Sequence, residues 1–358
     1  MALNPWRPTV RLPPAAKPAP ALKGAAPSAA RAGRQIHAIL ATGFFGLRKL
    51  QVRCRARKNG EATPSELRQE FRETAPFWCE GAEHVPDSEL ARAWRPEELK
   101  KFPRQGHEGS AGLDPKVRVH ELPPELRVRV WAYLRQMNPY EPSLAAIFST
   151  LDAMPGPQKL RVKELFESCD IVSALVMWWL RRPLTSQKRW GPPCRVLDAA
   201  CGHGLVGMML AHCFPDSLVR AVDLEERTLA GKALEAWAAA GRELANFQFV
   251  AGDLNHAKGW VEEASSISQS LVVAVHACNE ATLDVLQLAE DLGSSWAVVP
   301  CCMRRRLYFP GSTHLEAEEH YPLMCGALSA RFGANMLHSI DRTITTKNLI
   351  VAKKVVLP

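Results

Sequence analysis

The chain has no apolar run long enough to cross a membrane, which takes about 18 residues. Its longest candidate, Ile36–Leu47, has 12 residues and is interrupted by glycine. Paired cysteine spacing is missing too. Ten cysteines are scattered along the sequence, which argues against a disulfide framework and suits a reducing compartment. No internal repeat is visible. Acidic residues are absent from residues 1–60, which hold 12 Lys or Arg. Removing those 12 from the chain's 45 basic residues leaves 33 against 37 acidic ones in 61–358, a net of −4. The formal charge of +8 therefore belongs to the first sixty residues. The mildly acidic remainder argues against broad electrostatic binding of nucleic acid by that part.

What is present suits a globular protein: 358 residues, room for roughly two domains, with 47% hydrophobic content. Residues 1–60, rich in Ala, Pro and Arg, have the composition of an organelle transit peptide. Gln51-Val-Arg-Cys-Arg-Ala56 resembles the region where plastid transit peptides are cut. Hydroxyl residues are few (Thr9, Ser28, Thr42), which departs from the plant pattern and keeps mitochondria as the alternative to plastids. A basic arm that stays attached and binds nucleic acid is the competing reading.

Residues 61–190 read as a helical extension. Thr63-Pro-Ser-Glu66 has the form of a capping box. Asp87 opens a second helix expected to run through Leu90 and Trp94, and Pro103–Pro115 reads as a loop. Leu126, Val130, Leu134 and Met137 share one helical face. Met154-Pro-Gly-Pro157 is a turn. From Val162 to Leu180, apolar residues recur at helical spacing. Trp178-Trp179 and Arg181-Arg182 close that helix as either core or substrate-facing groups.

Residues 191–358 alternate apolar strands with helical segments, the pattern of a parallel sheet with crossovers. The expected strands are 195–198, 218–223, 247–250, 271–275 and 296–299, followed by 333–341 and 348–356. The first leads into Arg195-Val-Leu-Asp-Ala-Ala-Cys-Gly-His-Gly-Leu-Val-Gly207, a strand, a glycine turn and a helix start. Gly202 and Gly204 let the backbone bend and a ligand come close. Gly202, Gly204 and Gly207 also fit G-x-G-x-x-G, so a dinucleotide competes with S-adenosylmethionine (SAM). SAM carries an ammonium, a carboxylate and a sulfonium but no phosphate. An acid just ahead of the turn, Asp198, suits its cationic end and suits a pyrophosphate poorly.

The stretch from Val196 to Gly204 resembles the first motif of class I SAM-dependent methyltransferases, V-L-D-x-x-C-G-x-G, with Asp198, Cys201, Gly202 and Gly204 in the matching positions. The resemblance implies a Rossmann-like α/β sheet of seven strands, its last strand inserted antiparallel through a final hairpin. It also implies that Asp223, ending the second strand, accepts the ribose hydroxyls; an NAD site would use the same position. Asp253 would pair with the adenine amino group, and Leu254 would flank the ring.

His276-Ala-Cys278 followed by Thr282, together with Cys301-Cys302, resembles a broad methyltransferase-domain family. Eukaryotic tRNA 2′-O-methyltransferases of the acceptor stem share a similar pair of motifs. The likeness spans about 159–310 and the final hairpin, but not the first 150 residues, and the zinc-knuckle segments of those tRNA enzymes are missing. At neighbouring strand ends, His276, Cys278, Cys301 and Cys302 should converge. They would form the floor of a SAM and acceptor pocket, a soft metal site, or a packed cluster; the adjacent pair Cys301-Cys302 counts against a metal, and none is expected. His276 is the candidate general base and a SAM contact. Arg304, Arg305 and Arg306 are candidate substrate-binding residues, and Lys159, Arg161 and Lys163 are further members of a basic patch or a solvated charge run.

The tetrapeptide Asn/Asp-Pro-Pro-Tyr/Phe is absent from the fourth strand, which argues against methylation of the adenine exocyclic amine. The expected activity is methyl transfer from SAM to RNA, with a small-molecule or protein acceptor, or a non-catalytic SAM-fold binding protein, as alternatives. A fluorescent protein fused behind residues 1–60 should enter plastids and emerge shortened. Mitochondrial import would redirect that expectation, and a full-length cytosolic fusion would remove it.

Overall fold

A computed structural model of the chain describes residues 62–105, 112–137, 143–156, 159–181, 191–263, 269–278, 280–302 and 317–355. All of them fall in the compact unit Leu50–Pro358. The seven strands are β1 (Arg195–Ala199), β2 (Leu218–Asp223), β3 (Phe247–Ala251), β4 (Ser270–Val275), β5 (Ser295–Val299), β6 (Met336–Ser339) and β7 (Leu349–Lys353). They form one sheet in the order β3-β2-β1-β4-β5-β7-β6. The first five pair in parallel, while β7 runs antiparallel to both β5 and β6. This is the seven-stranded sheet expected from the sequence, including the inserted last strand.

Helices cover both faces, so β4 and β5 are buried on both sides and read in sequence as unbroken apolar runs. The period-two pleat sends alternate residues to opposite layers. Val196, Val219, Leu271, Val273 and Val299 join one hydrophobic cluster. Leu197, Val222, Val272, Ala274 and Val298 join the other. The first cluster is completed by α1 (Pro64–Thr74), α2 (Pro76–Cys79), α3 (Asp87–Ala91), α4 (Pro124–Met137), α5 (Leu144–Ala153), α6 (Val162–Leu180), α7 (Leu205–Cys213) and α8 (Thr228–Ala239). The second is completed by α9 (Leu254–Glu262), α10 (Glu280–Leu292) and α11 (Ala317–Phe332). The N-terminal helices thus share one core with a face of the sheet.

The capping box at Thr63 forms as its spacing predicts: the Glu66 N–H donates to Thr63 Oγ1 at 3.3 Å and the Thr63 N–H to Glu66 Oε2 at 2.7 Å. The helix expected from Asp87 to Trp94 stops at Ala91 instead. Pro96 disfavours helical backbone just before it, and Arg129 takes up the carbonyls needed there. Its guanidinium donates to Glu89 O at 2.7 Å, Arg92 O at 2.9 Å and Ala93 O at 3.2 Å, and it pairs with the buried Glu98, one contact lying at 2.9 Å. Trp94, Tyr133 and Phe166 pack beside this pair with ring centroids 4.6–5.4 Å apart. Helix α5 shows little polar alternation because Leu144, Ala145, Ile147, Phe148 and Leu151 are all buried; its local mark is the N-cap Ser143, whose Oγ accepts the Ala145 N–H at 3.1 Å. Trp179 is fully buried and donates to Gly191 O at 3.0 Å, the core alternative for that pair. Arg182 lies outside the described residues.

Removing one partner of a buried ion pair leaves an uncompensated charge. Arg129→Ala should therefore destabilise the fold by about 3–5 kcal/mol, read as a lower urea midpoint. An unchanged midpoint would show that Glu98 finds another partner or takes up a proton.

Candidate functional site

The strand order reverses between β1 and β4, and open α/β sheets bind ligands at the carboxyl ends of strands where this happens. The glycine turn leaves β1 at that place. Gly202 and Gly204 have φ of 59° and 69°, and Gly204 caps α7 in the left-handed conformation. A Cβ at Gly202 would meet no atom within 4 Å, so this part of the turn faces open space that a ligand can enter. Gly207 serves a different need. A Cβ there would stand 2.9 Å from Asp198 Oδ2 and 3.2 Å from Phe247 Cε2, so the helix packs against β1 and β3 only without a side chain.

Asp198 sits behind the turn and is 1% exposed. Its Oδ2 accepts the Gly207 N–H at 2.8 Å. Burial pushes the carboxyl up to about 7; the Gly207 N–H opposes that rise and the charge of Asp223 adds to it. Asp223, half-buried at the end of β2, accepts the Gly202 N–H on Oδ2 at 2.7 Å. Both acids therefore grip the turn's own backbone, one from behind and one from the side. Cys201 is half-buried. Its carbonyl accepts the Gly204 N–H at 2.9 Å and its N–H donates to Val222 O at 3.1 Å, and burial pushes its thiol above the usual range. Asp253 is exposed just before α9, and Leu254 is half-buried on the helix's first turn. The two follow β3, which pairs with β2.

Among the described residues, two that are not glycine adopt positive φ: Ala200 (51°) and His276 (58°). They follow β1 and β4, neighbouring strands. Such backbone is costly away from glycine and persists where the surroundings hold it in place. The His276 N–H is tied to Val299 O at 2.9 Å. Its ring Nε2 stands 2.9 Å from Glu167 Oε1, and Lys163 Nζ lies 2.9 Å from Glu167 Oε2. Burial by itself would raise the Glu167 carboxyl, but His276 and Lys163 outweigh it and hold the group below the ordinary range. The His276 ring is 27% exposed, though both of its nitrogens are shielded from solvent.

Glu167 has no counterpart among the residues singled out in the sequence. Its only local mark is Lys163 one helical turn earlier, while its partner His276 follows a distant strand, β4.

The expected convergence of the cysteines forms. Sulfurs of Cys278, Cys301 and Cys302 lie within 4.8 Å of one another. Cys278 and Cys301 point toward the His276 carbonyl at 3.4 and 3.6 Å, and their sulfurs are 2.9 Å apart. Burial raises the Cys278 and Cys301 thiols, which disfavours the thiolate a nucleophile would need. Arg304, Arg305 and Arg306 lie outside the described residues.

A SAM molecule fits this cradle on two grounds. The turn is open where Gly202 lacks a Cβ, and the half-buried Asp223 carboxylate flanks it. A pyrophosphate would meet the half-buried Asp223, whereas a cationic sulfonium and ammonium are attracted by it. SAM would be held by the turn, Asp223 and the Asp253-Leu254 segment.

Residues 162–306 match the family model described as "Methyltransferase domain". No curated protein matches the chain. Among solved structures, it is similar to a fibrillarin/Nop5p complex, at 13% identity over 51% of this chain and 79% of that one, with a TM-score of 0.33. A variant of the 16S rRNA (adenine(1408)-N(1))-methyltransferase from Catenulisporales acidiphilia is similar at 15% identity, over 49% and 97% of the two chains, with a TM-score of 0.29. A SAM-dependent methyltransferase from Agrobacterium tumefaciens is similar at 14% identity, over 51% and 62%, with a TM-score of 0.29.

The unfolded Asp198 carboxyl titrates near pH 3.9 or so, about the ordinary value. Between about pH 4 and 7 the folded chain keeps a proton that the unfolded chain has lost, so stability falls as pH rises through this window and levels off above it. Asp198→Asn keeps an acceptor for the Gly207 N–H and has no such proton. Its denaturation midpoint should decline less than the parent's across that window; equal declines would refute the buried-acid assignment. The domain match, carried on a seven-stranded sheet of this order, supports a SAM-dependent methyltransferase.

Proposed function

We propose that the protein transfers a methyl group from SAM to an acceptor in RNA. One observation carries the SAM part: a glycine turn at the sheet's reversal point, braced from behind by Asp198 and flanked by Asp223, offers open backbone and the Asp223 charge to a cationic ligand. The likeness of His276–Thr282 and Cys301-Cys302 to RNA-methylating enzymes supports the acceptor class.

SAM supplies an activated methyl group when bound, so the chain's own work is positioning and proton handling. Asp223 would take the ribose hydroxyls on its outer oxygen while its inner one holds the Gly202 N–H. Asp253 and Leu254 would bound the adenine. His276 is the group we assign to remove the acceptor's proton. Glu167, 2.9 Å from its Nε2, would stabilise the imidazolium so formed. Residues 1–60, by composition, would deliver the enzyme to a plastid.

The test is transfer of tritiated methyl from SAM to fractionated RNA, protein and small molecules, alongside calorimetry with SAM. Label should enter RNA. Asp223→Ala should weaken SAM binding by about 1–3 kcal/mol, the scale of lost hydrogen bonds to a charged group. His276→Asn, whose side chain tolerates left-handed backbone, should slow transfer by about 100-fold or more. Absence of SAM binding by the intact chain would remove the enzyme reading, and label confined to protein or small molecules would remove the RNA assignment.

A further inference from the structure

A cavity of about 250 Å³ opens beside the glycine turn, lined by Arg118, Lys159, Arg161, Glu164, His203 and Arg227. Four cations face one carboxylate there, although residues 61–358 carry a net charge of −4.

The cations arrive from separate parts of the chain and are held in place. Arg118 and Arg161 oppose each other across an antiparallel bridge, fastened on either side by Val119 N–H to Leu160 O and Val162 N–H to Val117 O, both 3.0 Å. Like charges set directly opposite across paired strands destabilise the pairing, so the fold sustains this juxtaposition against repulsion. Lys159 Nζ is anchored on Asp152 O at 2.9 Å and on Met154 O. Arg227 precedes the first turn of α8. The nearby acids leave this charge largely unanswered. Glu121 reaches Arg118 only at 3.8 Å, and Glu164 stands 3.6 Å from His203 Nε2. Arg161 and Arg227 have no ion pair among the described residues. His203 lies between the two turn glycines, and its Nδ1 is buried without a hydrogen-bond partner among the described residues. Burial, helped by the charges of Arg227 and Arg161, outweighs Glu164 and Asp223 and keeps the imidazole below its ordinary pKa.

We propose that this cavity binds a phosphate group of the methyl acceptor. Guanidinium forks match phosphate oxygens in geometry and charge, and four cations exceed what the single carboxylate of SAM would call for. The site deepens the methyl-transfer reading and rests on it for bringing an acceptor to the turn. A backbone phosphate of RNA and the phosphate of a small metabolite share this chemistry.

The experiment uses the full chain and the charge-removing pair Arg161→Gln/Arg227→Gln, with Arg161→Lys/Arg227→Lys as the charge-keeping control. Calorimetry reads inorganic pyrophosphate and, separately, SAM. Pyrophosphate should bind the parent, and the Gln pair should weaken it by about tenfold or more, with partial recovery in the Lys pair and SAM affinity within about twofold of the parent. A single-stranded RNA oligonucleotide and adenosine monophosphate are then competed against pyrophosphate. Displacement by the oligonucleotide, or by the mononucleotide alone, supports a phosphate site and assigns its source. Pyrophosphate affinity unchanged in the Gln pair, or absent from the parent, overturns the proposal. An equal loss of SAM affinity also overturns it, by giving the cavity to SAM's carboxylate. Loss of SAM binding in the parent itself would strike the methyl-transfer reading and leave the pyrophosphate result to stand on its own.

Discussion

The hydrogen bond from the Gly207 N–H to the buried Asp198 carboxyl is the contact on which the site depends. It fastens the first turn of α7 to the end of β1 and fixes the direction in which the glycine turn leaves the sheet. The fit is close: Gly207 approaches both the Asp198 side chain and Phe247 of β3, with no room for a methyl group. Burying an acid is unfavourable unless its oxygens are satisfied, and here the backbone donor at a helix start partly compensates. Asp223 repeats the device from the neighbouring strand by holding the Gly202 N–H. The Asp223 carboxylate on one flank and the cluster of cations around His203 on the other give the turn opposite polarities.

The second constraint is strain. Ala200 and His276 occupy backbone that suits glycine, at the ends of adjacent strands. Each marks a point where the chain must bend sharply at the sheet's edge. At His276 the bend is held by a backbone hydrogen bond to β5 and by the approach of Glu167 from α6. The N-terminal helices therefore do more than cover apolar surface, since one of them brings a buried acid to the end of β4.

How much of this could be read beforehand follows from the range of each interaction. The central strands β4 and β5 were legible because strands enclosed on both faces are apolar runs bounded by polar turns, whereas the edge strand β3 was placed by its position in the strand–helix alternation. The glycine turn was legible because its backbone needs residues without Cβ within three positions. The inserted last strand was expected from family resemblance, since local periodicity says nothing about strand order. Helix α5 was missed because its burial leaves little polar contrast, and the early end of α3 was missed because Arg129 lies far along the chain. The same distance hid Glu167 beside His276, and hid Arg118 and Arg227 beside Arg161. Single residues carried the charge in plain view, but which charges meet is decided by the fold.

The placement of β7 sets the order in which the sheet can be completed. Strand β5 is synthesised well before its outer neighbour, and among the described residues β6 pairs only with β7. Until residues 349–353 leave the ribosome, the outer rim of β5 has no strand to bond with and β6 has no sheet to join. Exposed strand rims of this kind recruit other chains, so a nascent molecule stalled inside α11 would be a candidate for chaperone capture while its cofactor-side strands were already in place.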